Sequence, residues 1–231
     1  MKCLLSVCLV SLACLAVAAR NMAPGGAQAL RQGVSVQMAV TANAAPMPEA
    51  DSTPWIVSVT NNGALYFGIH PVTPDALVQE MKSRPREREQ KLYVKADARA
   101  AYANVRKAIE AGRKVSFETV ALLTSQPSAS APGGIVSPRG LDVSLLSPDP
   151  SAEPILVQMH HSKRAHPELQ INHQPVPWSA LQITLIPLLQ SQKQKLVQLQ
   201  VDGMLPFADV VELIDTCRAN GATVILPASG V

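Results

Sequence analysis

Four of the five histidines lie within a short stretch of the chain and are its most obvious metal ligands. One histidine stands alone at position 70, and the other four are His160, His161, His166 and His173. Imidazole nitrogens bind zinc and copper, and a hairpin would bring His160 or His161 opposite His166. However, Ser162-Lys163-Arg164 intervene and no cysteine lies nearby, which is typical of a solvated loop. We therefore predict no metal and no cofactor, and keep the four histidines only as candidates.

A cluster of basic residues is the candidate for contact with a partner. Its members are Arg84, Arg86, Arg88 and Lys91. The cluster lies in the more basic half of the chain, since residues 52–127 contain 11 Lys or Arg and 7 Asp or Glu, against 5 and 6 in residues 151–231. Glu87 and Glu89 are interleaved with it, which is typical of a solvated helix end with mixed charges. The alternative is that the cluster binds an anionic partner such as lipid headgroups or cell-wall polymer.

The remaining reactive residues have simpler interpretations. Asp97 and Asp202 each end a predicted strand, where a carboxylate accepts amide hydrogen bonds from the following turn or helix. Cys217 is the only cysteine after residue 14, and its spacing with Val210 and Ile214 predicts a buried apolar residue. The chain has no glycine-rich phosphate loop, no G-x-S-x-G elbow and no H-E-x-x-H motif. We predict no catalytic residue and no enzymatic activity.

Composition limits the core and excludes one class of partner. Of the 231 residues, 47% are apolar but only 3% are aromatic, so the core must consist mainly of aliphatic side chains and alanine. Charged residues make up 16% of the chain and the formal net charge is +3, which is too small to indicate a nucleic-acid surface. We therefore predict no nucleic-acid partner.

The N-terminus has the pattern of a secretory signal. Lys2 precedes the uncharged segment 3–19, and the small residues around Ala18 form an A-x-A cleavage site. We predict a signal peptide over residues 1–18, cleaved after Ala18, and a leader over residues 19–32. The segment is at the lower limit for crossing a bilayer, so an uncleaved anchor in the inner membrane is the alternative. A lipoprotein signal using Cys14 is a third and less favoured interpretation.

The rest of the chain repeats itself with an offset of about 105 residues. Each copy has the predicted order β-β-β-α-β-α-β, and two helices can cover only one face of a sheet. The predicted fold class is α+β, with two similar two-layer modules, each a small mixed sheet with two helices on one face. The modules span residues 33–127 and 140–231, and a polar, proline-containing linker over 128–139 joins them.

Matching segments support this duplication. The paired strand segments are 33–38 with 140–145, 54–59 with 154–159, 92–97 with 197–202, and 117–122 with 222–226. Tyr102 and Phe207 begin the second helix of each copy. Thr73 and Pro74 predict the N-cap and the first residue of the first helix. Its counterpart meets Pro187, where we expect the helix to kink or stop.

This ordered series resembles the periplasmic domain of the ExbD/TolR family, small subunits of energy-transducing complexes in the bacterial inner membrane. The residues that carry the resemblance are a Gly-x-x-Val segment, a Pro-Val turn into the first helix, Lys95-Ala96-Asp97 at a strand end, and Pro206-Phe207 with residues 218–222 in the second copy. The resemblance covers residues 33–127 and 140–231. It implies a tandem repeat of that domain and a role in biopolymer or protein transport across membranes.

The chain departs from the family in its apolar segment. Family members normally carry one transmembrane helix with an aspartate that takes part in proton-driven motion beside ExbB or TolQ. Residues 3–19 contain no charged residue, so the resemblance does not extend the proton-handling role to this chain. It does imply a domain that dimerises. We therefore expect the tandem modules to pair as a pseudo-dimer and to exchange segments 33–38 and 140–145 between their sheets.

Two functions from different classes follow. The first is a non-catalytic periplasmic accessory of an ExbB/ExbD-TonB or Tol/Pal-type system, with ExbB/TolQ-type or TonB-type membrane proteins and peptidoglycan as the implied partners. The alternative is a secreted metal-binding or sensor protein that uses the loop from His160 to His173. The predicted location is the periplasm, with anchoring to the inner membrane as the alternative. A single undivided sheet, or halves that do not superimpose, would argue against the first interpretation.

Overall fold

The computed structural model describes residues 33–47, 54–85, 90–125, 139–163 and 166–228. The predicted signal peptide with its cleavage after Ala18, the leader over 19–32 and residues 128–138 of the predicted linker lie outside these ranges. Among the described residues, no helix is long and apolar enough to cross a membrane.

The first half of the chain contains a short initial strand, a three-strand meander, a helix and a β-α-β unit. The bounds are β1 Ala45–Pro46, β2 Trp55–Val59, β3 Leu65–Phe67, β4 His70–Val72, α1 Pro74–Ser83, β5 Leu92–Ala96, α2 Tyr102–Lys114 and β6 Thr119–Thr124. As predicted, Thr73 is the N-cap of α1, since its hydroxyl accepts a hydrogen bond from the Ala76 amide at 3.2 Å. Pro74 is the first helical residue, where its missing amide donor costs nothing.

The second half repeats the series, with a longer strand at the place of the short initial one. The bounds are β7 Arg139–Ser144, β8 Ile155–His160, β9 Glu168–Ile171, β10 Gln174–Val176, a 3₁₀ turn Trp178–Ala180, α3 Leu181–Ser191, β11 Leu196–Val201, α4 Phe207–Ala219 and β12 Thr223–Ile225. Helix α3 runs through Pro187 to Ser191, so the predicted stop at this proline is wrong. Pro187 and Ile183, whose carbonyl loses its helical partner, are both exposed, so water can replace the missing hydrogen bond.

All described strands belong to one mixed sheet. Its order is β10-β9-β8-β11-β12-β7-β6-β5-β2-β3-β4, and β1 pairs with β7. Outward from β7, the series β6-β5-β2-β3-β4 in the first half matches β12-β11-β8-β9-β10 in the second half. In both series the first three strands are parallel and the last three form an antiparallel meander. The α+β class and the arrangement in two similar modules with mixed sheets are confirmed.

Strand β7 joins the two modules into an undivided sheet. It pairs antiparallel with β6 over six residues, and it reaches β12 only through the parallel pair Ser144 and Ile225. The undivided sheet does not argue against a duplication, contrary to our expectation. Two complete sheets can join by pairing at their edges, and the strand order still repeats on either side of the joining strand.

The expected exchange of strand segments occurs in one copy only. Strand β7, which contains most of segment 140–145, pairs mainly with the sheet of the first module. Segment 33–38 is not a strand, and contributes one isolated bridge between Met38 and Asp97 of its own module. Because β7 fills the space between β6 and β12, no strand edge at the junction remains for segment 33–38. The prediction for this segment is therefore wrong.

The helices cover one face of the sheet, as predicted. Trp55, Val57 and Val59 of β2 belong to a large apolar cluster that includes buried residues of α1, α2, α3 and α4. On the opposite face of the first module, a smaller cluster consists of Ile56, Tyr93, Ala121 and Leu123, with Met38 and Met47 packed against it. The alternation of β2 between the two clusters is what the pleat of a strand requires.

The two edge strands of the sheet, β4 and β10, have a proline at the same position. Strands β4 and β10 each contain a central proline, Pro71 and Pro175, which lie 104 residues apart. Proline has no amide hydrogen to donate, so it is tolerated in edge strands and discourages pairing with another chain. The duplication has therefore preserved protection of both free edges.

Candidate functional site

The two modules meet where their second helices begin, and this junction is the candidate site. Ala101 and Pro206 form an antiparallel bridge between the loops that lead into α2 and α4. The amide of Tyr102 donates to the carbonyl of Leu205 at 2.8 Å. In the opposite direction, the amide of Phe207 donates to the carbonyl of Ala100, also at 2.8 Å.

A second pair of hydrogen bonds extends the same relation. The Ala103 amide donates to the Gly203 carbonyl at 2.9 Å, and the Ala208 amide donates to the Ala98 carbonyl at 2.9 Å. In both pairs the two donors are 105 residues apart, and so are the two acceptors. Each module therefore donates two backbone hydrogen bonds to the other and accepts the two equivalent ones from it, which is the pattern of a two-fold symmetric dimer contact. Here that contact forms within one chain.

Close approach of the backbones at this junction depends on a glycine. A Cβ atom at Gly203 would lie 2.9 Å from the Cβ of Ala103 and 3.5 Å from its Cα. Contacts under about 3 Å between carbon atoms are strongly repulsive, so any side chain at position 203 forces the helix start at Ala103 to move. Sequence reasoning did not single out Gly203, although its place directly after Asp202 was a usable signal.

The predicted role of the two strand-end carboxylates is confirmed. Asp97 accepts hydrogen bonds from the Arg99 amide and Nε, both at 3.0 Å, and from the Gln37 amide at 3.2 Å. The hydrogen bond from the Arg99 side chain is the main reason why the pKa of Asp97 falls to about 2, although burial opposes the change. Asp202 accepts from the Met204 amide at 2.9 Å, which lowers its pKa. Both carboxylates thus hold the turns that lead to the junction.

Residues 37–47, which we call the strap, connect the strand ends of the first module to a helix of the second. The strap begins beside Asp97, which accepts the Gln37 amide. Asp215 of α4 is buried, and its carboxylate accepts from the amides of Ala42 at 3.0 Å and Asn43 at 3.2 Å. The Asn43 side-chain amide donates to the same carboxylate at 3.2 Å. A buried carboxylate with these donors is well compensated, so Asp215 fixes the strap to α4.

Two arginines hold β7 and its surroundings from the helix layer. Arg113 of α2 donates to the Leu226 carbonyl at 2.6 Å and also to the Leu145 carbonyl. Arg218 of α4, which lies 105 residues later, donates to the Asp142 carbonyl at 2.8 Å. Arg113 therefore binds backbone of the second half from a helix of the first. Sequence reasoning did not identify these two arginines, although their separation of 105 residues equals the offset of the repeat.

Two members of the predicted basic cluster contact other residues of the same chain. The Lys91 ammonium lies 2.9 Å from Asp142 Oδ2. Lys91 directly precedes β5, and this ion pair connects it to β7. The Arg84 guanidinium lies 4.2 Å from the centre of the Phe67 ring and 3.7 Å from a Glu80 oxygen. The other two members, Arg86 and Arg88, lie outside the described residues. Binding of an anionic partner by this cluster stays a prediction.

The four candidate histidines are exposed and lie around the end of β8 and the hairpin that follows. The His161 amide donates to Asp202 Oδ2 at 3.4 Å, and the His166 ring lies 6.3 Å from the Trp178 ring. His173 adopts positive φ, at 66°, in the turn between β9 and β10. In the described part of the chain, no group of three or more His, Cys, Asp or Glu is placed to hold a metal ion. Metal binding by His160, His161, His166 and His173 stays untested.

Cys217 is a buried residue of the core, as its spacing predicts. Its side chain is fully shielded from solvent within α4. Burial disfavours the thiolate and raises the pKa of Cys217 to about 12. This thiol is therefore inert under ordinary conditions.

Fold and junction together define a class of protein, in which an α+β module occurs twice in one chain and pairs with its own copy. Among known families, a model described as "ExbD: Biopolymer transport protein ExbD/TolR" matches residues 5–127 and, separately, residues 131–228. The chain therefore belongs to the ExbD/TolR family, and the two matches are consistent with two ExbD-like segments. No curated protein and no solved structure matches the chain significantly.

Family membership gives a coarse description of the function. The ExbD/TolR family takes part in energy-transducing biopolymer transport systems and consists of non-catalytic accessory proteins. Its members generally work with ExbB/TolQ and TonB-type partners. They are anchored in a membrane and carry a periplasmic domain.

Proposed function

We propose that this protein is a non-catalytic periplasmic accessory of an ExbB/ExbD-TonB or Tol/Pal-type system that binds protein partners or peptidoglycan. In this proposal a single chain provides the pair of domains for which other family members need two chains. The observation that carries it is the set of four reciprocal backbone hydrogen bonds between residues 98–103 and 203–208. A pair built in this way presents a dimer-like surface at any protein concentration.

The proposal assigns no proton-driven step to this chain. The apolar segment over residues 3–19 contains no Asp, Glu, Lys, Arg or His, and a carboxylate within lipid is the usual carrier of such a step. That segment acts as a signal peptide cleaved after Ala18, or as an uncleaved anchor, and either role leaves both modules in the periplasm. The partner subunits then supply proton handling.

Co-purification tests the partner part of this proposal. The tagged full chain is expressed together with ExbB/TolQ-type and TonB-type subunits, solubilised in mild detergent and purified through the tag. We expect at least one of these subunits to co-purify, and we expect retention by isolated peptidoglycan if the cell wall is the partner. If neither subunits nor peptidoglycan bind above a tag-only control, the proposed accessory role is wrong.

The single-chain pair is tested by its size in solution. Sedimentation velocity of the chain without residues 1–32 should give one compact species with the mass of a monomer across a wide concentration range. A stable two-chain dimer, or an extended monomer with independently moving halves, would contradict the internal pair.

A further inference from the structure

A groove between α1 and α2 combines an apolar floor with a basic rim. The groove has a volume of about 280 Å³. Its floor includes the buried side chains of Val78 and Ala111. Its rim carries Arg106, Lys107 and Lys114, which are exposed or half-buried. The groove thus offers a place for an apolar side chain surrounded by positive charge.

The positive charge at the rim is not neutralised by the groove's own residues. Of the residues that the structure describes, Glu110 contributes the only carboxylate that lines the groove, and this carboxylate lies 3.4 Å from Nε of Arg113, which does not line it. The Lys107 ammonium donates to the neutral Asn104 Oδ1 at 2.9 Å. Within the described ranges, neither Arg106 nor Lys114 forms an ion pair. The cations are therefore available to an external anion.

The second module shows that the fold does not require these cations. The positions 105 residues later, equivalent to Arg106, Lys107 and Lys114, are Val211, Glu212 and Ala219. Val211 is fully buried and belongs to the large apolar cluster. The second copy thus has the same fold with valine, glutamate and alanine at these three positions. The basic rim is consequently a property of the first copy that packing does not explain.

We infer that the groove between α1 and α2 binds an acidic segment of a partner protein. Carboxylates of that segment contact Arg106, Lys107 and Lys114, and an apolar side chain of the same segment lies on Val78 and Ala111. The inference deepens the proposed function and rests on it for the existence of a protein partner. Complementary charge provides selectivity and fast association. The recessed apolar floor favours a peptide side chain over a lipid headgroup or a cell-wall phosphate, neither of which would fill it.

A synthetic peptide tests the chemistry directly. The probe is a fluorescein-labelled twelve-residue peptide in which single leucines alternate with pairs of glutamates, and its binding to the full chain is measured by fluorescence anisotropy. We expect saturable binding that weakens as salt is raised. The matched peptide with glutamine in place of glutamate should bind at least about tenfold more weakly, because it lacks the carboxylates.

Variants locate the binding to the groove. Arg106→Glu/Lys114→Glu should weaken binding of the acidic peptide by at least about tenfold. The matched control is Lys82→Glu/Lys193→Glu, which changes the net charge equally at exposed positions that do not line this groove, and it should stay within about twofold of the wild type. A milder variant, Arg106→Gln/Lys114→Gln, should also weaken binding. Far-ultraviolet circular dichroism and urea unfolding of each variant show whether it remains folded.

Several results would overturn the inference. They are equal binding of the two peptides, wild-type affinity in both groove variants, and equal losses in groove and control variants. Binding of phosphatidylglycerol vesicles that the groove variants abolish, without binding of the peptide, would assign the groove to lipid instead. Absence of peptide binding with intact co-purification of transport subunits rejects the groove alone. Peptide binding without co-purification rejects the proposed system and leaves the groove standing.

Discussion

Gly203 and Ala98 occupy equivalent positions in the two copies, yet only position 203 lacks a side chain. The carbonyls of both residues accept a hydrogen bond from the start of the opposite helix, at the same distance of 2.9 Å. At position 203 an added Cβ would collide with Ala103, whereas position 98 already carries one opposite Ala208. The pseudo-two-fold relation is therefore accurate in its hydrogen bonds and only approximate in its side-chain packing.

Gly203→Ala should destabilise the junction. The added methyl group pushes against the Cβ of Ala103, and overpacking of this kind costs about 1–3 kcal/mol in the free energy of unfolding. The measurement is urea unfolding at neutral pH. The matched variant Gly203→Ala/Ala103→Gly removes the opposing methyl group and should recover part of the loss, beyond the cost of Ala103→Gly alone. Additive effects of the two substitutions would show that these atoms are not in contact.

Asp97 should make stability depend on pH in the acidic range. Its pKa falls from the ordinary value of 3.8 to about 2 in the folded protein, so its contribution is fully present above pH 4 and is lost as the pH falls towards 2. Asp97→Asn should therefore lower the free energy of unfolding at pH 7 by about 2 kcal/mol. The difference from the wild type should shrink towards pH 2. Urea unfolding of both proteins at pH 7, 4 and 2.5 checks this, and a difference that stays constant over this range would contradict it.

At the scale of elements, β7 and the strap each contact the module that is not next to them in the chain. Strand β7 precedes the second module in the chain, but its long antiparallel pairing is with β6 of the first. The strap of residues 37–47 precedes the first module, but Asp215 binds it to α4 of the second. Each of these two segments therefore contacts both modules, β7 through strand pairing and the strap through the backbone of the first module and Asp215 of the second.

Asp215→Ala should loosen the strap at Ala42 and Asn43, the residues that Asp215 binds. The substitution leaves the amides of Ala42 and Asn43 without their acceptor, and loss of a buried charged acceptor with several partners costs about 2–4 kcal/mol. Native-state hydrogen exchange should be faster at these two amides in the variant. The control is Glu212→Ala, an exposed position on the same helix. Unchanged exchange at residues 42 and 43 would mean that the strap is held by other contacts.

On the scale of the whole molecule, the continuous sheet and the junction predict that both modules unfold together. Cooperative unfolding requires that the interface between the modules contribute much of the stability of each. Here β7 pairs with β6 over six residues, and four reciprocal hydrogen bonds join the helix starts. Neither module would retain this edge and this junction if the other were unfolded.

The two tryptophans allow this to be measured, because Trp55 lies in the first module and Trp178 in the second. Trp55→Phe and Trp178→Phe each leave one fluorescent reporter. After correction for the small stability change in each variant, the two urea transitions should coincide with each other and with circular dichroism. Two separated transitions in the wild-type circular dichroism curve would show that the modules fold independently.

Local patterns in the chain predicted the repeated order of elements except for β4 and β10, the last strand of each meander. Thr73 and Pro74 act within one helical turn, segment 54–59 contains a single strand, and both were predicted correctly. The same is true of the hydrogen bonds that Asp97 and Asp202 accept from the Arg99 and Met204 amides, each two residues away. Segment 33–38 failed because its alternation shows that it can form a strand but not that a strand edge is available to it. The helix does not stop at Pro187 because this proline lies on an exposed face of the helix, which the local pattern does not indicate.

Sequence alone was enough to establish the duplication, the α+β class and the family resemblance, since each depends on periodicity and spacing along the chain. Only the tertiary structure decided that β7 would join the sheets, that Asp215 would hold the strap and that Gly203 would meet Ala103. These contacts join residues that are far apart in sequence. Asp215 and Ala42 are 173 positions apart, Gly203 and Ala103 are 100 positions apart, and the paired residues of β6 and β7 are at least 15 positions apart. Their partners are selected by which edges and donors remain unpaired once both modules have folded, and no local pattern carries that information.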